Sequence, residues 1–282
     1  MEWINNIQVL LLDMDGTLYQ DESFIEPYLS YLFQGHGGNS GVSMWQREAE
    51  SILAGKHALK IGHFFSRSLK SGVEYRNGEI AGLYDWEGKK IEPSGASLDI
   101  IRDIHYIGDA WGVVGAIADY ADVPASVRTQ AFMNIRRDMI STLNCVKPHD
   151  GVTAALRGLK SIRHKVLMTN SPEEAALDFV SRLGLDDAFD TVIYGGNKPQ
   201  GLADYLQEYM NRHGISPDQI VSIGDNAWND LYPVKKLGGR TIWISPYETY
   251  DEEKWDLRLR TLDDLEDFLV KLKERLAIHP QR

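Results

Sequence analysis

With 282 residues, the chain has room for one α/β core and a sizeable second module. Its 43% hydrophobic and 25% charged residues are ordinary for a globular protein, and its net charge of −11 excludes general affinity for nucleic acid or anionic membranes. No window approaches about 18 uninterrupted apolar residues, which excludes a membrane-spanning helix.

The opening Met1–Asn6 lacks the basic segment of a secretory leader, and the apolar run that follows is broken at Asp13. That run, Ile7–Leu12, reads as a central parallel strand buried on both faces. Between Asp21 and Lys147 the rhythm changes. Gly35–Gly41 reads as a glycine-rich loop, Tyr75–Ile91 as a hairpin, and Ser97–Tyr120 and Ser126–Leu143 as helices. The single cysteine, Cys145, excludes an internal disulfide and fits a reducing, cytoplasmic location, with an inert buried thiol as its expected state.

Beyond Pro148 helix and strand patterns alternate. Gly151–Ile162 carries Val152, Ala155, Leu156 and Leu159 at helical spacing, and Lys165–Thr169 is a short strand. Ser171, Pro172 and Glu174 then read as the cap, first residue and capping-box acid of a helix that stops at Gly184. The strands Thr191–Tyr194, Ile220–Ile223 and Thr241–Ile244 follow, interleaved with helices at Gly201–His213, Tyr232–Leu237 and Leu262–Leu276. Such alternation implies a Rossmann-like, doubly wound parallel sheet. The expected division is residues 1–20 and 148–282 as the α/β core, with residues 21–147 as a mainly α-helical insertion. Two adjacent linkers would then join the parts, with the cleft beside them as binding site.

Four segments carry candidate chemistry, each at the carboxyl end of an expected strand, where open α/β sheets bind ligands. Asp13-Met14-Asp15-Gly16-Thr17-Leu18 follows the first strand. Residues two apart share a face, so Asp13 and Asp15 can serve one site, one attacking phosphorus and one exchanging a proton. Taken alone, this is an acidic turn. Thr169-Asn170-Ser171 joins a strand end to a helix start, where a hydroxyl and backbone amides can bind phosphate oxygens; alone, it is a cap. Lys198 follows a glycine-containing loop and could neutralise both phosphate and nucleophile; alone, it is a solvated lysine. The segment from Gly224 to Asp230 offers Asp225 and Asp230 to a hard cation such as Mg²⁺; alone, it is a turn with a cap.

Together and in this order, the segments resemble the haloacid dehalogenase-like superfamily. Its motifs are Asp-x-Asp-Gly-Thr, a Ser or Thr ending a strand, a Lys, and an acidic pair after Gly. The resemblance covers residues 7–20 and 148–275. It implies Asp13 as nucleophile and Asp15 as general acid and base, with Thr169 and Lys198, joined by Asn170, binding the phosphoryl group. It implies Mg²⁺ held by Asp13, Asp225, the Asp15 backbone carbonyl and, in a supporting role, Asp230. The long interval between the first and second motifs places the family's cap there, and Asp15 favours phosphoryl transfer over dehalogenation. The implied activity is hydrolysis of a phosphomonoester of a small soluble metabolite, with neither nucleic acid nor membrane as partner. A phosphomutase of the β-phosphoglucomutase kind shares these residues, and a silent binding protein of the same fold is the alternative outside catalysis. Within the insertion, Arg67, Tyr75, Asp85, Trp86 and Arg128 show no pattern that separates substrate contact from surface or packing roles. Trp45, Trp86 and Trp111 read as core.

Overall fold

A computed structural model of the chain describes residues 1–34, 38–76, 79–92, 103–141, 146–251 and 253–278. Its strands are β1 (Val9–Leu12), β2 (Phe64–Ser66), β3 (Ser71–Arg76), β4 (Glu79–Tyr84), β5 (Ile104–Tyr106), β6 (His164–Met168), β7 (Thr191–Ile193), β8 (Ile220–Gly224), β9 (Arg240–Ile244) and β10 (Leu257–Leu259). The chain divides into two compact units. One comprises Met1–Asp21, Asn144–Pro246 and Trp255–Arg282; the other comprises Glu22–Leu143 and Tyr247–Lys254.

The first unit is built on a parallel sheet of order β10-β9-β8-β1-β6-β7. β1 lies between β6 and β8, with Val9 beside His164 on one side and Ile220 on the other. Every residue of β1 is buried, as its unbroken apolar run requires. On one face Val9, Leu11, Val166, Met168 and Ile220 pack against Leu202, Leu206 and Met210 of the helix Gln200–His213. Burying each of those helix side chains stabilises the layer by roughly 1.5–3 kcal/mol. The helix Leu262–Ile278 buries Leu265, Phe268, Leu269 and Leu272.

From β1 the chain order runs outward through β6 and β7, then resumes at β8 on the other side and continues to β9 and β10. The order therefore reverses between β1 and β8, and a doubly wound sheet opens a crevice at such a point. The turn after β1 needs a glycine. Gly16 has φ +76°, and a Cβ there would lie 1.9 Å from Asp225 Oδ2. Gly224, ending β8, is equally tight: its Cβ would meet the Asp230 Cβ at 2.3 Å.

The second unit joins the helices Ile25–Phe33, Gly38–Leu53, Ala110–Tyr120 and Ala125–Ser141 to an antiparallel sheet of order β4-β3-β2-β5. The four helices supply most of the regular structure of this unit among the described residues, as expected, and the sheet extends beyond the expected hairpin. The hairpin expected over Tyr75–Ile91 is shifted, its first strand being β3 from Ser71 and its second β4. Ile104–Tyr106, expected as helix, is the edge strand β5, and the helix begins only at Ala110, capped by Asp109, which accepts from the Gly112 N–H. Gly38–Gly41, expected as loop, opens a helix; Gly35–Gly37, Ser97–Arg102 and Cys145 lie outside the described residues. Trp86 is buried, and Trp45 and Trp111 are half-buried among other aromatic rings. Trp86 stacks on Tyr120 at 4.2 Å, Trp111 on Phe24 at 4.1 Å and Trp45 on Phe33 at 5.4 Å. Arg67 and Arg128 both pair with the buried Asp119.

One segment departs from the expected division. Tyr247–Lys254, between β9 and β10, lies with the second unit. There the Tyr250 N–H donates to the Ile61 carbonyl at 2.8 Å, and the Tyr106 hydroxyl donates to Asp251 Oδ2 at 3.0 Å. The Lys60 ammonium sits 4.0 Å above the Tyr250 ring. Eight residues without helical or strand periodicity give no signal of such an excursion in the sequence. No helix of the described residues is long and apolar enough to cross a membrane.

Candidate active site

The four segments singled out in the sequence come together within the first unit, at the carboxyl ends of β1, β6, β7 and β8. Asp13 follows β1, and its N–H donates to the Ile223 carbonyl at 3.0 Å. Lys198 follows β7 and is buried. Its Nζ donates to Asp13 Oδ1 and to Asp230 Oδ1, both at 2.6 Å. These are charge-assisted bonds in a nearly dry site.

The loop bearing Lys198 is pinned to the segment ending β6. The Gly196 N–H donates to the Thr169 carbonyl at 2.8 Å, and the Gly195 N–H to the Ser171 carbonyl at 2.9 Å. The Asn170 side chain completes the connection. Its Oδ1 accepts from the Lys198 N–H at 2.7 Å, and its Nδ2 donates to the Lys198 carbonyl at 3.1 Å. The sequence suggested phosphate binding for Asn170; the structure shows its side chain clamping the lysine's peptide.

Asp15 lies on the other side of the turn. Its Oδ1 accepts from the Tyr19 hydroxyl at 2.5 Å. Its Oδ2 receives longer contacts from Thr169 Oγ1 at 3.4 Å and Ser171 Oγ at 3.3 Å. Ser171 therefore does not cap the following helix as its sequence suggests. That helix, Glu173–Arg182, is preceded by Pro172 without a side-chain cap. The Ser171 hydroxyl bonds to the Asp15 carboxyl, and the cap is lost to that competitor. Tyr19 was not singled out in the sequence, where a tyrosine after an apolar residue carries no signal beyond packing.

Asp230 ends the short helix Ala227–Asp230, capped by Asn226, whose side chain accepts from the Asn229 N–H. Its carboxylate is 2% exposed, takes Lys198 on Oδ1, and takes the Asn226 N–H on Oδ2 at 3.2 Å. Asp225 is buried beside it, with its carbonyl accepting from Trp243 Nε1 at 2.8 Å.

Burial lifts the Asp13 carboxyl to about 8, with Asp230 and Asp15 adding to the rise and Lys198 opposing it. For Lys198, burial pulls downward, but Asp13 and Asp230 outweigh it and hold the ammonium above its usual range. These two tendencies conflict over the charge on Asp13. Geometry decides between them: an ammonium held 2.6 Å from two carboxylates is charged, and it keeps its partners charged. Lys198→Met should therefore unfold more readily, by about 3 kcal/mol or more, because it strands two buried carboxylates. Chemical denaturation of the metal-free protein measures this, and an unchanged midpoint would contradict the ion-paired cluster.

Asp13, Asp225 and Asp230 bring one ligand oxygen each within 4.8 Å of one another. Buried carboxylates of this kind suit a small, hard divalent cation. One lysine charge against three carboxylates leaves negative charge for such an ion to neutralise, so the donor set fits Mg²⁺. The Asp15 side chain is outside that group. A second group, His149, Asp263 and Glu266, has similar spacing. There, however, the imidazole is already used. Nε2 lies 3.0 Å from Asp263, and Nδ1 accepts from the Val152 N–H at 3.3 Å, capping the helix Asp150–Gly158.

The chain is similar to several known proteins. The model of the haloacid dehalogenase-like hydrolases matches residues 7–238. The glyceraldehyde 3-phosphate phosphatase of Methanocaldococcus jannaschii is 26% identical over 137 residues, covering 46% of this chain and 59% of that protein. The phosphoglycolate phosphatase of Thiobacillus denitrificans is 27% identical over 104 residues, covering 36% and 45%. The match thus spans less than two thirds of either curated relative. Among solved structures, a HAD phosphatase from Thermococcus onnurineus has a TM-score of 0.47 at 19% identity, covering 93% of this chain and 98% of that one. A haloacid dehalogenase-like hydrolase from Xanthomonas campestris has a TM-score of 0.47 at 16% identity, covering 99% and 100%. The family match runs from the strand that delivers Asp13 to the helix beyond Asp230, and the chain belongs to the haloacid dehalogenase-like hydrolases.

Proposed function

We propose that this hydrolase is a Mg²⁺-dependent phosphatase that cleaves a phosphomonoester of a small metabolite through an aspartyl-phosphate on Asp13. The observation that carries the reading is the buried Lys198 ammonium held between Asp13 and Asp230 at 2.6 Å, with Asp15 beside them on hydroxyl donors. A site for an uncharged substrate has little use for that arrangement. Here the lysine keeps the nucleophile in place and offsets repulsion between a carboxylate and a phosphate dianion. The phosphatase names of the two curated relatives support the same reaction class.

Asp13 attacks phosphorus as the ester bond breaks, and the departing oxygen takes a proton from Asp15. In the second half, Asp15 takes a proton from water as that water displaces Asp13 and regenerates its carboxylate. Thr169, whose hydroxyl lies at the same edge, would turn to a phosphoryl oxygen, and Asn170 would hold Lys198 in register throughout. Asp13, Asp225, Asp230 and the Asp15 carbonyl would hold the Mg²⁺, which supplies positive charge against the phosphoryl oxygens when bound. In this reading, the second unit serves as the family's cap and selects the substrate.

The test is a screen of purified protein with Mg²⁺ against p-nitrophenyl phosphate and a panel of phosphorylated metabolites that includes glyceraldehyde 3-phosphate and phosphoglycolate. Release of inorganic phosphate from at least one is expected. No release from any would refute the phosphatase, and conversion of glucose 1-phosphate with a bisphosphate activator would identify a mutase instead.

A further inference from the structure

Asp15 is held by a residue that the reaction scheme above does not use. Tyr19 is 3% exposed, and its ring lies 5.8 Å from that of Phe179. Its hydroxyl donates to Asp15 Oδ1 at 2.5 Å, the shortest of the three contacts on that carboxylate described above. Packing alone would give the ring a place but would not select this oxygen. The turn between the two residues is fixed by its backbone. The Leu18 N–H donates to the Met14 carbonyl at 2.9 Å, the Thr17 N–H to the same carbonyl at 3.3 Å, and Asp15 and Tyr19 form a bridge. The phenol is therefore delivered to the carboxylate by a closed local loop.

A protonated carboxyl has one carbonyl oxygen and one hydroxyl oxygen, and the carbonyl oxygen is the better acceptor. An oxygen engaged by a short, buried phenol bond is favoured as the carbonyl oxygen. The other then carries the proton. We propose that Tyr19 is a positioning residue that holds Asp15 by Oδ1 and so places the transferable proton on Oδ2, the oxygen facing Thr169 and Ser171. This rests on the phosphatase reading. In the first step the Asp13–phosphorus bond forms and the ester bond breaks. Its electron pair goes to the leaving oxygen, which takes the proton from Oδ2. In the second step water bonds to phosphorus and its proton passes to Oδ2, while the Asp13–phosphorus bond returns its pair to the carboxylate. Thr169 and Ser171 can turn toward a phosphoryl group without releasing the acid, because Tyr19 still holds the far oxygen.

The expected signature depends on the leaving group. An aryl phosphate such as p-nitrophenyl phosphate departs as a stable phenolate and gains little from protonation, whereas an alkyl phosphate leaves as a strongly basic alkoxide. Tyr19→Phe keeps the ring and removes the hydroxyl. Its kcat should fall about 10-fold more on the alkyl phosphate that the wild type cleaves fastest than on p-nitrophenyl phosphate. In an Asp15→Asn background, the same change should add no further discrimination between the two esters. Equal losses on both esters, or an undiminished effect without the Asp15 carboxylate, would overturn the role of Tyr19 and leave the phosphatase reading standing. If Tyr19→Phe does not fold, 3-fluorotyrosine at position 19 preserves packing and should still change the alkyl-to-aryl ratio; an unchanged ratio overturns the proposal. A wild type that cleaves neither ester overturns the phosphatase reading, and this inference with it.

Discussion

Asp13→Asn is expected to lower turnover on the order of 10³-fold or more while leaving the fold intact. The amide keeps the size of the carboxylate and still offers Lys198 an acceptor, but it has no anionic oxygen with which to attack phosphorus. Stability should change little for a second reason. Burial already penalises charge at this position, and Lys198 retains Asp230 as an ionised partner when Asp13 becomes neutral. Burst and steady-state assays on a variant matched to the wild type by circular dichroism and melting temperature decide the point. A folded Asp13→Asn protein with near wild-type turnover would remove Asp13 from the role of nucleophile.

Chelation should have an effect of similar size by another route. Stripped with EDTA, the protein should fall to background activity, and Mg²⁺ should restore it. Ca²⁺ should do so poorly, because its larger and looser coordination does not suit a compact carboxylate set. A second readout does not depend on catalysis. An ion that binds only the folded chain stabilises it, by about 2.7 kcal/mol at a hundred times its dissociation constant. Mg²⁺ should therefore raise the melting temperature of the wild type, and Asp225→Ala should lose most of that rise. Full activity in excess EDTA, or identical melting shifts in the two proteins, would rule out a metal at Asp13, Asp225 and Asp230.

The core was legible in the sequence because its signals are local. Ile7–Leu12 announces a doubly buried strand by composition, and Gly214 announces the end of a helix by conformation. The sheet of the second unit was not. β2 and β5 have three residues each, too few to show a period, and their pairing of Phe64 with Tyr106 is fixed by contacts far apart along the chain. The site divides in the same way. Asp13, Lys198, Asp225 and Asp230 could be named because their segments occur together and in order at the ends of expected strands, where the family resemblance gives each a role. Ser171 was misread because a serine before proline is an ordinary helix start. What overrides that pattern is Asp15, more than one hundred residues earlier in the chain. Tyr19 was missed because nothing in a run of amino acids distinguishes a phenol that packs from one that also donates to a carboxylate.

The excursion Tyr247–Lys254 has a consequence for the order of events on the ribosome. Ile61, Gly62 and Tyr106 leave the exit tunnel long before Tyr250 and Asp251, which complete their surroundings. A Cβ on Gly62 would approach the Asp251 nitrogen at 2.5 Å, so the space there is fitted to the returning segment. The early module therefore emerges with one wall missing and cannot close in the usual order, N-terminal part first. β1 waits as well, since both of its neighbours are synthesised after the module. Neither half of this protein is finished until translation has passed residue 254, and a nascent chain arrested at Pro246 should expose to proteases a module that the full-length chain protects.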